Sequence, residues 1–198
     1  MITILNKSSE KPYQDFYNYL SKAKREQQKN IDAIAVSTFS KETNEISSRF
    51  VNLKYIDEEE WIFFTNYNSI KAKDIISNPD IAVVIYWNNI NAQIRIKAKA
   101  FKTNPKISDN HFHARGIKKN ALSISSDQSQ PINSYDDVKA NYLKILESKS
   151  DLDRPEYWGG ISFIPYYFEF WTGHKSRLNK REVYNEVNNK WVKTILQP

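Results

Sequence analysis

Residues 166–181, YYFEFWTGHKSRLNKR, run an aromatic strand through one turn into a cluster of cations. Side chains alternate between the two faces of a strand, which puts Tyr167, Glu169 and Trp171 on one face and Phe168 and Phe170 on the other. One face can feed a core while the other meets a ligand. Thr172 and Gly173 break the strand, and Lys175, Arg177, Lys180 and Arg181 follow closely. So much positive charge beside a large aromatic suits a polyanionic, flat-ringed ligand. A solvated basic hairpin end accounts for the same residues equally well at this level.

Working outward, the chain after this stretch reads EVYNEV, Asn188, Asn189 and KWVKTIL, a hairpin with asparagines that tolerate left-handed backbone. Upstream, AQIRIKAKAFK (92–102) alternates Ile94, Ile96, Ala98 and Ala100 against Gln93, Arg95, Lys97 and Lys99, a half-exposed strand. IAVVIYW (81–87) is a continuous apolar run and predicts a central strand. IDAIAVSTF (31–39), the turn KETNE and SSRFVNLKYI (47–56) form a hairpin, followed by the aromatic strand WIFFTN (61–66). Strict alternation sends Arg49 and Lys54 to opposite sides of their strand unless a bulge intervenes. Short turns between successive strands favour an antiparallel barrel over a parallel βαβ sheet.

Helical spacing of Phe16, Tyr19, Leu20 and Ala23 predicts an amphipathic helix over residues 11–28. Ser69 is placed to cap a short helix bearing Ile70, Ala72, Ile75 and Ile76 and stopped before Pro79. Thr65, Ser69 and Lys71 therefore meet at a strand-to-helix junction that could hold a phosphate, although capping alone explains it too. Residues 105–115 form a short helix ending in HFHAR. His111 and His113 diverge on a helix and lack a third ligand nearby, so no metal is expected. SSDQSQP (125–131) is a polar loop. Ser134 and Asp137 make a capping box for a helix through Val138, Tyr142, Ile145 and Leu146.

The 198 residues predict a single domain spanning 1–198, with residues 1–30 a leading helical segment packed on it. No apolar run reaches the roughly 20 residues needed to cross a bilayer, and the polar start lacks a signal-peptide core. A cytoplasmic protein without a membrane partner is expected. The absence of cysteine excludes disulfides, thiolate catalysis and thiolate metal sites. A net charge of +6 favours anionic partners. Only four glycines occur, so neither a dinucleotide-binding GxGxxG loop nor a P-loop can be written, and side chains must hold any phosphate.

Six blocks in order, SSRFVNLK (47–54), FFTNYNSIKA (63–72), AQIRI (92–96), DQSQPI (127–132), YWGG (157–160) and FEFWTGHKSRLNKR (168–181), resemble the pyridoxamine 5'-phosphate oxidase family. The resemblance covers nearly the whole chain. It implies a mainly β fold with peripheral helices (α+β), an FMN-binding split β-barrel of about six to eight antiparallel strands. It also implies a homodimer with FMN at the interface and a small phosphorylated substrate, with no nucleic acid. Block by block, Arg49, Asn52, Lys54, Lys71, Gln128, Ser129 and Arg181 match polar FMN positions, with Arg49 and Lys71 suited to its phosphate. Phe64 and Thr65 match a strand segment along the flavin, Gln93 a contact to its ring or ribityl side, and Trp171 an aromatic beside it.

On the substrate side, Lys54, Arg115 and Arg177 match binding positions, and the implied reaction is oxidation of pyridoxamine or pyridoxine 5'-phosphate to pyridoxal 5'-phosphate. Hydride passes to flavin N5 and oxygen reoxidises the flavin. Arg177 and Asn179 occupy the family's catalytic positions, Asn179 where histidine is usual. His111 stands for a tyrosine and Lys119 for a serine at the substrate-phosphate contacts, and Ile70 for an arginine beside the FMN lysine. These departures leave open a related FMN oxidoreductase acting on another planar metabolite, or a non-catalytic flavin-binding protein.

Overall fold

The structure is a computed structural model and describes residues 1–148 and 152–198. The described residues form nine strands: β1 (Thr3–Lys7), β2 (Ala33–Ser40), β3 (Glu45–Glu58), β4 (Glu60–Asn66), β5 (Asp80–Trp87), β6 (Ala92–Lys102), β7 (Trp158–Thr172), β8 (Lys180–Val187) and β9 (Lys190–Leu196). Five helices accompany them: α1 (Lys11–Arg25), α2 (Ile70–Ser77), α3 (Pro105–Ala114), α4 (Ile117–Ser125) and α5 (Tyr135–Glu147). The fold is mainly β, as expected, and the ring within it has six strands.

The ring closes through two long strands. β3 gives residues 45–52 to β2 and residues 53–57 to β4, while β7 gives 158–163 to β4 and 161–172 to β6. With β2–β5 and β5–β6 pairing, the path β3–β2–β5–β6–β7–β4 returns to β3. β8 and β9 extend from the free flank of β7. The nine strands exceed the six to eight expected, and β1 pairs parallel to β3 rather than antiparallel. Its five residues, TILNK, are almost wholly exposed, so they carry no alternating pattern to read.

Burial follows the alternation. Ile94, Ile96, Ala98 and Ala100 of β6 are buried, as are Phe168 and Phe170 of β7. α1 lays Tyr13, Phe16, Leu20 and Ala23 into the same core, with Phe16 4.4 Å from Trp61 between ring centroids. Each such aromatic removed from water contributes about 1.5–3 kcal/mol. β5 lies centrally between β2 and β6, yet its apolar run buries only alternate residues and leaves Ala82 and Tyr86 outward. The β8–β9 turn has Asn188 and Asn189 at φ 50° and 58°, the left-handed pair its sequence predicted. Ser134 accepts from the Asp137 amide and caps α5, whereas α4 had no counterpart in the sequence reading.

Candidate active site

A cleft of about 840 Å³ opens where β3, β4 and helices α2 to α4 meet. Its floor depends on an irregularity in β3. Leu53 pairs with Phe63 and Tyr55 with Ile62, so Lys54 is an extra residue in a bulge. The bulge shifts the alternation beyond it, and Arg49 and Lys54 both line the cleft.

Arg49 donates through Nη1 to Thr38 Oγ1 at 2.8 Å and to the Val36 carbonyl at 3.3 Å. Lys71, only 7% exposed, donates to Thr65 Oγ1 at 3.2 Å and Ser69 Oγ at 3.1 Å. Ser69 sits at the start of α2 but does not cap it. Its hydroxyl donates to the Asn66 carbonyl and accepts from Lys71. Burial, and then Arg49 beside it, push the Lys71 ammonium down to about 8, and burial likewise lowers Arg49. Among the described residues, no aspartate or glutamate lines the cleft. Buried Lys71 and half-buried Arg49 repel each other and hydrogen-bond only neutral acceptors, with the Asp74 carboxylate the one opposite charge acting on Arg49, and such a pair is a site that an anion stabilises.

Flat groups make the wall. Phe64 stacks on His111 at 3.8 Å and 11°, and on Trp158 at 5.4 Å and 11°. The Arg115 guanidinium lies 3.9 Å over Trp158 and donates to Asn120 Oδ1 and to the Lys119 carbonyl. Tyr55 Oη and His111 Nδ1 are 2.8 Å apart. Burial, with Arg115, Lys54 and Lys119 nearby, pushes the His111 imidazole down to about 4, so it is neutral near pH 7. His113, two residues on, is exposed and bonded to the Asp109 carbonyl on its own helix. Gln128 Oε1 accepts from Thr65 Oγ1 and from the Asn66 amide, both at 3.2 Å, which ties the polar loop to the strand-to-helix junction.

The structure thus brings Arg49, Asn52, Lys54, Phe64, Thr65, Lys71, His111, Arg115, Lys119, Gln128 and Ser129 to one cleft. Tyr55 and Trp158 also line it and were missed as site residues. The bulge that turns Tyr55 inward is a pairing irregularity with no local sequence signature, and Trp158 reads as an ordinary core aromatic. Gln93, Trp171, Arg177, Asn179 and Arg181 are elsewhere. Gln93, Trp171 and Arg181 sit in register across β6, β7 and β8 as one row on the outer face. Beside them Glu169, 2% exposed, accepts from Arg181, Arg95 and the Tyr167 hydroxyl. Asn179 accepts from the His174 amide at 3.0 Å and closes the turn in which Arg177 takes φ 60°.

The sequence matches the family described as "Pyridoxamine 5'-phosphate oxidase" over residues 20–145, and the "Pyridoxine 5'-phosphate oxidase C-terminal dimerisation region" over 158–198. The chain belongs to the pyridoxamine 5'-phosphate oxidase family. Among curated members of that family, the pyridoxine/pyridoxamine 5'-phosphate oxidase of Pelagibacter ubique is 31% identical over 94% of this chain and 91% of its own length. That of Haemophilus influenzae is 33% identical over 96% and 90%. The solved structure of PhzG from Burkholderia lata, in complex with tetrahydrophenazine-1-carboxylic acid, superposes with a TM-score of 0.91 at 26% identity, over 96% of this chain and 93% of that one. A pyridoxamine 5'-phosphate oxidase-related, FMN-binding protein from Nostoc punctiforme shares the fold at a TM-score of 0.78 and 13% identity, over 96% of this chain and all of that one. As a pyridoxamine 5'-phosphate oxidase-like protein, the chain is an oxidase-type enzyme.

Proposed function

We propose that this chain is an FMN-dependent oxidase of pyridoxamine or pyridoxine 5'-phosphate that works as a homodimer. The observation that carries this reading, within the family, is the cleft with half-buried Arg49, buried Lys71 and no acidic lining among the described residues. The residues fit FMN chemically. Arg49 and Lys71 offer charge-assisted donors to a phosphate, with the Thr65 and Ser69 hydroxyls at hand, and the parallel rings of Phe64, His111 and Trp158 stand beside room for a flat ring system. When bound, FMN supplies the two-electron acceptor chemistry and is returned to its oxidised form by oxygen.

The chain's own part is binding and orientation. Lys54, Arg115 and Lys119 present positive charge to a substrate anion. Neutral His111, bonded to Tyr55, adds a polar edge without a further charge. The row Gln93, Trp171 and Arg181, with Arg177 and Asn179 at its end, lies outside the cleft and completes the site from a second copy. The match of residues 158–198 to a dimerisation region supports that assembly.

A second reading has its own support. The likeness to PhzG with its tricyclic carboxylic acid, together with the altered positions His111, Lys119 and Asn179, favours a planar carboxylate as substrate. Anaerobic mixing of FMN-loaded protein with pyridoxamine 5'-phosphate and, separately, pyridoxine 5'-phosphate tests the first reading through bleaching of the flavin absorbance. Bleaching that recovers in air is expected. FMN binding without bleaching by either compound sinks the B6 reading and leaves the carboxylate or a binding role.

A further inference from the structure

Arg115, between α3 and α4, sits in a socket made by the first turns of α4. Asn120 Oδ1 accepts from Arg115 Nε at 2.6 Å, while the Lys119 carbonyl at 3.1 Å and Ser123 Oγ at 2.5 Å both accept from Nη2. A guanidinium carries five N–H donors, and these bonds use the one on Nε and the two on Nη2. The two on Nη1 have no acceptor among the described residues, and Arg115 lines the cleft. Its flat side rests on aromatic rings, 3.9 Å from the Trp158 centroid and 4.8 Å from that of Phe112. Asn120 is only 7% exposed and takes no part in the cleft lining. Because arginine only donates, the amide must turn its oxygen to the guanidinium, which leaves Nδ2 to donate to the Phe112 carbonyl at 3.0 Å in the last turn of α3. One buried amide thus ties α3 to α4 and orients the cation between them. The acceptors in this socket are all neutral, whereas Arg181 is clamped by the Glu169 carboxylate.

We propose that Asn120 is a positioning residue for the substrate: with Ser123 and the Lys119 carbonyl it fixes the Arg115 guanidinium so that the Nη1 donors are left for the substrate's anionic group. The inference rests on the reading above that Arg115 presents its charge to that group. An unrestrained arginine gives up rotamer freedom when it binds an anion, and one already held gives up little, so the same donors bind more tightly. A carboxylate could hold the side chain equally still, but it would offset the charge that the anion meets. An amide, a carbonyl and a hydroxyl orient the guanidinium and leave its charge in place.

Equilibrium dialysis of FMN-loaded protein against 4-deoxypyridoxine 5'-phosphate and, separately, unphosphorylated 4-deoxypyridoxine tests this without turnover, since neither carries an oxidisable group at C4'. Arg115→Met is expected to weaken the phosphate ester on the order of tenfold, Asn120→Ala roughly fivefold and Ser123→Ala roughly twofold, with the unphosphorylated compound unchanged. The deciding readout is coupling: Asn120→Ala added to Arg115→Met should cost nothing further, because the side chain it positions is gone. With pyridoxamine 5'-phosphate as substrate, Asn120→Ala should raise KM and hold kcat. Unaltered FMN affinity reports an intact fold. Should Asn120→Ala lose FMN, Ser123→Ala decides alone, by the same comparison with and without Arg115→Met. Wild-type affinity in both single variants overturns the proposal, as does an equal loss with and without Arg115, or an equal loss for the unphosphorylated compound. Failure of the underlying reading looks different: Arg115→Met binds the phosphate ester as the wild type does, or neither binds it although FMN still binds, and both ideas fall together.

Discussion

The cleft and the outer face of β6, β7 and β8 carry similar numbers of arginines and lysines but treat them oppositely. In the cleft, buried Lys71 and half-buried Arg49 lie beside each other and hydrogen-bond only hydroxyls and a carbonyl. On the outer face, Arg95 and Arg181 are both held by Glu169, at 2.7 Å and 2.7–2.8 Å. A compensated arginine is a finished structural element, whereas an uncompensated buried cation costs stability until something anionic arrives. The contrast marks the cleft as the place where the protein alone is electrostatically incomplete.

The largest effect should come from breaking the uncompensated half. Lys71→Met removes a charge-assisted donor worth about 1.5–3 kcal/mol, which is roughly a 10- to 150-fold loss of FMN affinity by titration. The same variant should melt higher than wild type when both are free of FMN, by roughly 2–4 °C for each kcal/mol of burial penalty relieved. The pH sign follows from the lowered ammonium. Lys71 is charged below about 8 and loses its proton above it, so wild-type FMN affinity should fall as pH rises through about 8, and the variant should lack that step. A variant that binds FMN normally would place the phosphate elsewhere.

Next comes the compensated half. Glu169→Gln leaves two guanidiniums facing each other over a buried amide. Because Arg95 is 46% exposed, solvent softens the penalty to about 2 kcal/mol, read as a lower denaturation midpoint of the FMN-free protein. Equal loss in both regions would erase the distinction drawn between them.

The two regions were also unequally legible. The ring strands were readable because their alternation is one-sided: β6 buries Ile94, Ile96, Ala98 and Ala100 and exposes the residues between. The aromatic strand of β7 and the Asn188–Asn189 turn were readable for the same local reasons. The outer row of Gln93, Trp171 and Arg181 follows from strand register, but that it is separate from the cleft does not, since residues far apart in sequence match the same ligand whichever copy supplies them. The cleft needed the bulge at Lys54, which is set by how β3 meets β4 and not by β3 itself. β1 and α4 were illegible because they bury too little to leave a pattern: β1 buries nothing fully, and α4 buries only Asn120 and Ala121. His111 was matched to the substrate site by family position alone; its stacking on Phe64 pairs residues 47 positions apart.

A smaller effect separates His111 from the outer face by pH. The neutral imidazole is favoured in the fold, at about 4 against an ordinary 6.5. Between those values the unfolded chain binds the extra proton, so the contribution is intact above about 6.5 and lost as pH falls toward about 4. Discounted for its solvent access, the loss should be about 1 kcal/mol, and His111→Phe should abolish it. Thermal melts of the two proteins from pH 7 to pH 4 that run parallel would dismiss the effect.

The smallest effect concerns the turn at the end of the outer face. Asn179 accepts one hydrogen bond from the His174 amide, and Arg177 in the same turn is exposed at φ 60°. A single exposed hydrogen bond contributes about 0.5 kcal/mol, so Asn179→Ala should shift the melting temperature by no more than about 2 °C. If the turn exists to aim Arg177 at a substrate in the partner's cleft, the same substitution should raise KM several-fold while kcat holds, because binding is lost and the reacting centre is untouched. A large drop in melting temperature with unchanged KM would instead make the turn a structural stop for β7 and β8, and the outer face would then contribute Trp171 and Arg181 but not the loop beyond them. Arg177→Gly divides the same question from the other side, since glycine relieves the left-handed strain while deleting the guanidinium: a protein that melts slightly higher and binds substrate more weakly shows a residue held in a costly conformation for its side chain.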